Sequence, residues 1–265
     1  EDFALADDNH WTIGQFVWTG FDYLGEPSPY DTDAWPNHSS MFGIIDLASL
    51  PKDRYYLYRS VWNKDAETLH ILPHWTWPER EGEVTPIFVY TNYPTAELFI
   101  NGKSYGKQSK NNSSLKNRYR LMWMDAVYEP GEVKVVAYNK DGKAVAEKVV
   151  RTAGKPHHIE LVSNRNELTA DGKDLAYVTV KVVDKDGNLC PTDNRQINFS
   201  AKGAGKYRAA ANGDPTNLEQ FHLPKMHAFN GMLTAILQAG ETVGEIVFTA
   251  KANGVKAGNI RIQTK

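Results

Sequence analysis

From about residue 69 onward, the chain consists of short runs of β-branched and aromatic residues that end in turn signals. Representative runs are Pro86–Tyr90, Ala96–Ile100 before Asn101-Gly102, and Val133–Tyr138 before Asp141-Gly142. Runs of this length and composition are typical of strands, and Asx-Gly pairs are typical of hairpin turns between antiparallel strands. This pattern restricts the chain to a mainly β architecture.

A second set of the same kind begins after Gly154-Lys155-Pro156, which indicates a short linker. Its clearest strand, Tyr177–Val183, alternates apolar and polar residues, as in a sheet with one solvated face. Further strands are predicted over 158–162, 234–237, 244–250 and 259–262. The two sets, of roughly 85 and 110 residues, fit two immunoglobulin-like β-sandwiches. The single cysteine, Cys190, excludes the intersheet disulfide of antibody domains.

The first 65 residues have a different character, and six of the seven tryptophans lie before residue 78. The continuous apolar run Gly14–Gly20 predicts a strand buried on both faces, as in a parallel barrel. Pro51 then precedes Tyr55, Tyr58 and Trp62 at helical spacing, which predicts an amphipathic helix. One strand and one helix cannot form a domain, since a (β/α)8 barrel needs eight such units. We therefore expect a truncated TIM barrel, represented by its last β/α unit, before the two sandwiches.

These changes along the chain predict three parts: a barrel remnant over 1–67, a first sandwich over 68–154 and a second sandwich over 155–265. A lone barrel strand leaves unpaired edges and an apolar face. We therefore expect residues 1–65 to pack on the first sandwich or on a second copy of the chain, which would make the protein a homo-oligomer.

The charge balance, 30 Lys plus Arg against 32 Asp plus Glu, contains no basic block. This argues against nucleic acid and membrane surfaces as partners, because both are bound through basic patches. No apolar run approaches the roughly 20 residues of a membrane helix, and residues 1–8 lack the features of a signal peptide. We expect a soluble chain, mature or truncated. No cysteine-rich zinc site or phosphate-binding loop is present in the sequence, so no cofactor is expected.

Three stretches near the N-terminus carry a family resemblance. They are residues 14–27 (GQFVWTGFDYLGEP), 42–47 (FGIIDL) and 51–58 (PKDRYYLY). Together they resemble the end of the catalytic barrel of glycoside hydrolase family 2, and within it the β-galactosidase-like enzymes of gut Bacteroidetes. Residues 69–153 resemble the immunoglobulin-like domain that follows the barrel. Residues 156–265, with Ala211–Thr216 and Ala228–Gly231, resemble the C-terminal β-sandwich of the family.

The resemblance implies a retaining exo-glycosidase that hydrolyses terminal β-glycosidic bonds with two glutamates about 5 Å apart. In the family these glutamates end the fourth and seventh barrel strands, and this chain aligns from between the seventh and eighth strands. We therefore expect both glutamates upstream of residue 1, no catalytic residue in this chain, and no activity of the chain alone. The expected partner is a terminal β-linked sugar, with galactose as the family default. The resemblance also implies a periplasmic or exported bacterial protein.

Four residues are candidates for substrate binding. Trp18 matches the tryptophan of the family that forms a wall of the terminal-sugar subsite; the alternative is a barrel-core tryptophan. Asp22 and Glu26 lie on one strand end and its loop, whereas a retaining pair faces across a cleft. We expect one of them to hydrogen-bond sugar hydroxyls or to orient a neighbour. Trp35 borders an outer sugar subsite or anchors its loop in a buried position.

Other polar and aromatic motifs favour structural roles. Trp75 and Trp77 are expected to pack between the barrel remnant and the first sandwich, rather than to form a sugar platform with His70 and His74. Asp184–Asn188 resembles a calcium loop, but it lacks the distant bidentate glutamate and fits a hairpin turn better, so no metal site is predicted. Asn212–Pro215 is expected to be a turn whose side chains bond local backbone, with a carbohydrate contact as the alternative.

A second hypothesis is that the tandem sandwiches form a non-catalytic carbohydrate-binding or adhesion module, since residues 168–173 and the strand after them also resemble bacterial surface repeats. The N-terminal segment discriminates between the two. An adhesin has no use for a barrel-type strand that ends in tryptophan and is followed by an amphipathic helix, so the hydrolase is favoured.

Overall fold

The computed structural model describes residues 2–27 and 35–265. The architecture is mainly β, as predicted, and the chain divides into two compact units. The first unit contains the residues up to Gly20 and Pro51–Thr152, and the second contains Phe21–Leu50 and Ala153–Lys265.

Two α-helices, one 3-10 turn (Pro78–Arg80) and sixteen strands lie within the described residues. The helices are α1 (Asp2–Asp8) and α2 (Asp53–Trp62). The strands of the first unit are β1 (Leu69–Leu72), β2 (Ile87–Thr91), β3 (Thr95–Ile100), β4 (Lys103–Ser109), β5 (Leu121–Trp123), β6 (Glu132–Tyr138) and β7 (Ala144–Arg151). Those of the second unit are β8 (His158–Ser163), β9 (Glu167–Leu168), β10 (Leu175–Val183), β11 (Gln196–Gly203), β12 (Gly205–Ala211), β13 (Lys225–His227), β14 (Met232–Ala239), β15 (Gly244–Lys251) and β16 (Gly258–Thr264).

The first unit contains a two-sheet sandwich. One sheet has the order β1-β2-β5 and the other β4-β3-β6-β7, with all pairs antiparallel. The core between the sheets includes Trp75, Trp123 and Tyr128, which are fully buried. The Trp75 indole N–H donates to the Glu129 carbonyl at 3.0 Å, so the buried polar atom is satisfied. Trp75 therefore belongs to the sandwich's own core, which corrects the expectation that it packs against a barrel remnant.

Helix α2 forms as the sequence predicts and packs on strands β1 and β2. Its contacts differ in detail from the predicted stripe. The ring of Tyr56 stacks on His70 of β1 at 3.9 Å, and Asp53 accepts a hydrogen bond from the same imidazole at 2.7 Å. Tyr58 and Trp62 turn instead toward Phe3 of α1, with ring centroids 5.1 and 6.0 Å away. The helix thus presents one aromatic face to the sheet and another to α1.

The strand predicted over Gly14–Gly20 does not form. These residues have no regular secondary structure, and no described strand pairs with them. Ile13 and Phe16 are fully exposed. The apolar run encodes a strand that needs a hydrogen-bonded neighbour on each side and cover on both faces. Without those partners, the composition alone does not produce a strand.

The second unit contains a larger sandwich. Its sheets have the orders β12-β14-β10-β8 and β13-β11-β15-β16-β9, and only the short β9-β16 pair is parallel. The core is filled by aliphatic and aromatic side chains from both inner faces, such as Val178, Val180, Leu233, Leu237 and Phe248. Outward-facing positions alternate with these, so Thr179 of β10 lies opposite Thr234 of β14 on the outer face.

The residues expected to form the barrel remnant are divided between the units. The described residues before Phe21 and those from Pro51 onward belong with the first sandwich, as expected, but Phe21–Leu50 belongs with the second. We call the described part of this segment, residues 21–27 and 35–50, the inserted loop.

None of the helices in the described part of the chain has the length and hydrophobicity that a membrane span requires.

Candidate functional site

The inserted loop is held together by backbone pairing between its two ends. The Asp22 amide donates to the Ile45 carbonyl at 2.9 Å, and the Ser40 amide donates to the Tyr23 carbonyl at 2.9 Å. The Ser40 hydroxyl in turn accepts from the Tyr23 amide at 3.1 Å. These bonds fix the backbone around the predicted site residues Asp22 and Glu26.

Asp22 is buried, with 8% of its surface exposed. Its Oδ1 accepts a hydrogen bond from the Gly43 amide at 2.8 Å. Gly43 fits only because it lacks a side chain, since a Cβ there would lie 2.7 Å from this oxygen and 2.5 Å from the carbonyl carbon of Phe21. This contact fixes the backbone at Gly43, and the role of Asp22 toward a sugar stays a prediction.

Glu26 lies on the surface at a positive φ of 47°. Its carboxylate accepts a hydrogen bond from the Tyr23 hydroxyl. A carboxylate and a phenol that share a hydrogen bond at an exposed position retain further lone pairs, which is the kind of polar group that binds sugar hydroxyls.

Trp18 and Trp35 are both largely exposed, at 70% and 74%. Neither indole is buried within this chain, and the roles of Trp18 and Trp35 toward a sugar stay predictions. An exposed indole offers an apolar face that packs on the C–H groups of a pyranose. Trp18 lies in the first unit and Trp35 in the second.

The turn predicted at Asn212–Pro215 is confirmed as a structural turn. The Asn212 Oδ1 accepts from the Asp214 amide at 3.1 Å, and its Nδ2 donates to the His227 carbonyl at 2.8 Å. Asp214 Oδ1 accepts from the Thr216 amide at 2.8 Å. Beside this turn lies an open cleft of about 460 Å³ whose lining includes Glu219 and Phe229.

The segment Asp184–Asn188 is a turn ordered by one carboxylate. Asp184 is buried and accepts hydrogen bonds from the amides of Gly154, Asp186 and Asn188, at 2.8 to 2.9 Å, and from the Asn188 side chain at 2.9 Å. Burial by itself raises the pKa of this carboxyl, but the hydrogen bonds outweigh burial and lower the pKa to about 2. The Asp184 oxygens thus serve backbone donors. No group of three or more His, Cys, Asp or Glu side chains within 2–27 and 35–265 is arranged to hold a metal ion.

The first unit has a cleft of its own, of about 500 Å³, lined in part by Lys110, Arg118 and Tyr119. Arg118 binds the Asp8 carboxylate through two bonds of 2.8 Å. Lys110 donates to the Thr91 carbonyl at 2.5 Å, and burial together with the nearby Lys64 lowers its pKa to about 8. Lys110 and Arg118 are thus engaged by neighbours within the unit, and no motif in the sequence indicated this cleft.

Sequence reasoning missed the residues that support the predicted ones, namely Ser40, Gly43 and Asp46. Asp46 Oδ1 accepts from the amides of Ala48 and Leu50, both at 2.8 Å, and closes the turn at the end of the inserted loop. An aspartate followed by small residues is a recognisable turn signal, so the turn role of Asp46 could have been predicted from the sequence. Ser40 and Gly43 carry no comparable signal, because their partners lie about twenty residues away along the chain.

Comparison with known proteins shows a consistent pattern. Residues 159–261 match the family profile described as glycoside hydrolase family 2 C-terminal domain 5, and residues 82–146 match a domain of unknown function, DUF4982. The chain is 43% identical over its whole length to β-galactosidase BoGH2A of Bacteroides ovatus, of which it spans 30%. It is 35% identical over 80% of its length to a putative β-glucuronidase of Formosa agariphila, of which it spans 20%.

Solved structures give the same picture. A β-glycosidase from Bacteroides vulgatus superimposes on 98% of the chain with a TM-score of 0.88 and 32% identity, and the chain covers 32% of it. A glycosyl hydrolase family 2 member from Bacteroides cellulosilyticus superimposes on 98% with a TM-score of 0.87 and 31% identity, and the chain covers 37% of it. The chain therefore spans less than a third of the length of the two sequence relatives. It spans about a third of each of the two solved structures.

Proposed function

Because this chain matches the C-terminal part of glycoside hydrolase family 2 enzymes in both sequence and fold, we propose that it works as part of a longer retaining exo-glycosidase. The reaction is the hydrolysis of a terminal β-glycosidic bond, and the proposed sugar is galactose. The observation that carries this proposal is the 43% identity to a β-galactosidase over all 265 residues, inserted loop included.

The residues of this chain that form the sugar site in the proposal are Trp18, Asp22, Glu26 and Trp35. The exposed indole of Trp18 supplies an apolar wall for the terminal sugar, and the exposed indole of Trp35 borders an outer sugar subsite. Glu26, with the Tyr23 hydroxyl beside it, supplies hydrogen bonds to sugar hydroxyls. Asp22 holds Gly43 and so fixes the backbone that carries Glu26. The acid/base and nucleophilic glutamates belong to the remainder of the barrel, outside this chain.

Hydrolysis of a panel of chromogenic aryl β-glycosides tests the proposal. The panel contains the galactoside, glucoside and glucuronide, and it is applied to the 265-residue chain and to the longer protein that includes the barrel. We expect turnover by the longer protein only, with the galactoside as the preferred substrate. Turnover of the glucuronide alone would show that the sugar is glucuronic acid and not galactose. Turnover by the 265-residue chain would overturn the proposal that both catalytic glutamates lie outside it.

A tryptophan comparison tests the sugar contacts. In the longer protein, Trp18→Ala is expected to lower kcat/KM by about a hundred-fold, because an unpositioned sugar ring loses most productive orientations. Trp11→Ala is the matched control, since Trp11 is equally exposed, at 73%, and has no proposed role. Equal losses in both variants would contradict a sugar contact at Trp18.

The adhesion hypothesis has no observation of its own in its favour. The similarity to hydrolases covers the N-terminal segment as well as the sandwiches, and an adhesin does not need that segment. Periplasmic location or export remains part of the proposal by family resemblance, and fractionation of the native host, followed by detection of the protein, tests it.

A further inference from the structure

The inserted loop is anchored to the second sandwich by three contacts, each between residues that are more than 150 positions apart along the chain. The Thr234 hydroxyl on β14 donates to the Ala48 carbonyl at 2.7 Å. The His38 amide donates to the Pro215 carbonyl at 3.1 Å. Gly213 approaches the side chain of Asp46 so closely that a Cβ would lie 2.9 Å from its Cγ.

The anchored end of the loop lies against the outer face of the sheet. Ala48 is buried, and the turn it belongs to borders a small cleft of about 220 Å³ with Tyr177 and Thr179 of β10. Thr234 is buried as well, although it faces outward from the sandwich core. An outward-facing threonine of a free sheet would be solvated, so the loop is what covers this one.

The anchors are connected to the predicted substrate residues by short steps. Asp46 closes the turn at 46–50, the Ile45 carbonyl accepts from the Asp22 amide, and Gly43 bonds the Asp22 carboxylate. On the other side, His38 bonds Gly25, the neighbour of Glu26, through its carbonyl at 2.8 Å. A shift of the loop on the sheet therefore moves both Asp22 and Glu26.

We propose that Thr234 and Gly213 of the second sandwich are positioning residues for the sugar site, because they fix the loop that carries Asp22, Glu26 and Trp35. This inference rests on the proposed function and extends it. The C-terminal sandwich would then set substrate affinity without touching the sugar.

The first test uses the 265-residue chain alone. In Thr234→Val, which keeps the shape and removes the hydroxyl, we expect amide hydrogen exchange over residues 42–50 to rise by about five- to ten-fold, the usual effect of one lost hydrogen bond. Thr179→Val is the matched control, since Thr179 lies opposite Thr234 in the same sheet and makes no hydrogen bond to the described part of the loop. Thr234→Ser keeps the hydroxyl and should restore the slow exchange.

Gly213→Ala disrupts a second anchor of the same loop by a steric clash. The added methyl group meets Asp46, so we expect faster exchange over 42–50 without unfolding of the sandwich strands. It keeps the inference testable if Thr234→Val folds poorly. Unchanged exchange in both variants would overturn the anchoring.

The second test measures kinetics in the longer protein. For Thr234→Val and Gly213→Ala we expect KM to rise by about ten-fold with kcat reduced less than about three-fold, because the loop binds the sugar and supplies no reacting group. Thr179→Val and Thr234→Ser should match wild type. Faster exchange with an unchanged KM would overturn the positioning role. Absence of hydrolysis by the wild-type protein would overturn the proposed function instead, and the exchange experiment separates the two failures.

Discussion

At the scale of single residues, close approach decides which side chains the inserted loop tolerates. Gly43 and Gly213 are glycines for reasons of space, since each faces an aspartate where a Cβ would collide. Neither has a positive φ, so neither is needed for its backbone conformation. Substitution therefore acts through displacement of the neighbouring aspartate and its segment.

We predict that Gly43→Ala destabilises the second unit by about 1–3 kcal/mol, the usual cost of forcing extra atoms into a packed site. The methyl group would displace Phe21 and Asp22 and break the bond from the Gly43 amide. Urea unfolding measures the loss. The control is Gly154→Ala, where the nearest atom to the new Cβ is an ordinary 3.6 Å away. Similar stability in the two variants would contradict the steric argument.

Asp184 makes the second unit sensitive to acid. Its pKa in the folded chain, about 2, lies below the unfolded value, so ionisation stabilises the fold above about pH 4, and this contribution of about 2 kcal/mol disappears as the pH falls through 2. Asp184→Asn should lower stability at about pH 5 and flatten the decline toward pH 2. Unfolding titrations at several pH values test this, with exposed Asp186→Asn as the control. Parallel pH curves for wild type and Asp184→Asn would rule the effect out.

Local signals predicted the residues whose partners are local. The turn at Asn212–Pro215 was predicted because Asn and Asp bond backbone two residues on, which is what they do here. Thr234 was out of reach, since its partner, Ala48, lies 186 residues away. Threonine is common on the outer faces of strands, and no local pattern in the sequence indicates which of these threonines another segment covers.

At the scale of elements, strands that alternate apolar and polar residues and end in a turn signal could be predicted from the sequence. The predicted strand at 14–20, which would need neighbouring strands and cover on both faces, was wrong. Strand β10, predicted over 177–183, forms over Leu175–Val183 with the expected alternation of burial. The run at 14–20 has equally strong apolar character, yet a strand buried on both faces exists only with its neighbours. Helix α2 is intermediate: its position was predicted, whereas its contact residue on the sheet is Tyr56.

A double-mutant cycle tests how α2 is fastened to β1. The near-parallel stack of Tyr56 on His70 predicts a coupling free energy of about 0.5–1.5 kcal/mol between Tyr56→Leu and His70→Ala. Chemical unfolding of the four proteins measures it. The control cycle pairs Tyr58→Leu with His70→Ala, because Tyr58 contacts Phe3 and Trp62 instead. Additive effects in the first cycle would show that the stack contributes nothing of its own.

At the scale of the whole molecule, the exposed apolar side chains before Gly20 stand out. Ile13 and Phe16 are completely accessible, and Trp11 and Trp18 are largely so. Apolar exposure of this extent is typical of a surface that binds another chain segment or another molecule. The β-galactosidase of Bacteroides ovatus and the β-glycosidase of Bacteroides vulgatus are each about three times as long as this chain.

We predict that the 265-residue chain binds a hydrophobic dye such as ANS and self-associates, and that the double substitution Ile13→Ser, Phe16→Ser reduces both. Dye fluorescence and light scattering after size-exclusion chromatography measure the change. A control pair on the second sandwich, Val162→Ser with Val243→Ser, removes apolar groups elsewhere that are 45% and 75% exposed. Equal reductions of dye binding and self-association by the two pairs would mean that the N-terminal segment is not the surface responsible for them.

The passage of the chain between the two units has a consequence for biosynthesis. Residues 21–50 leave the ribosome before residues 51–152, which complete the first unit, and their anchors at 213–215 and 234 emerge later still. The early segment therefore lacks its sandwich partners while an entire intervening unit is synthesised, and closing so long a loop is entropically costly. A nascent chain released before β14 would contain a folded first sandwich, but its inserted loop would lack the sheet surface that Thr234 belongs to.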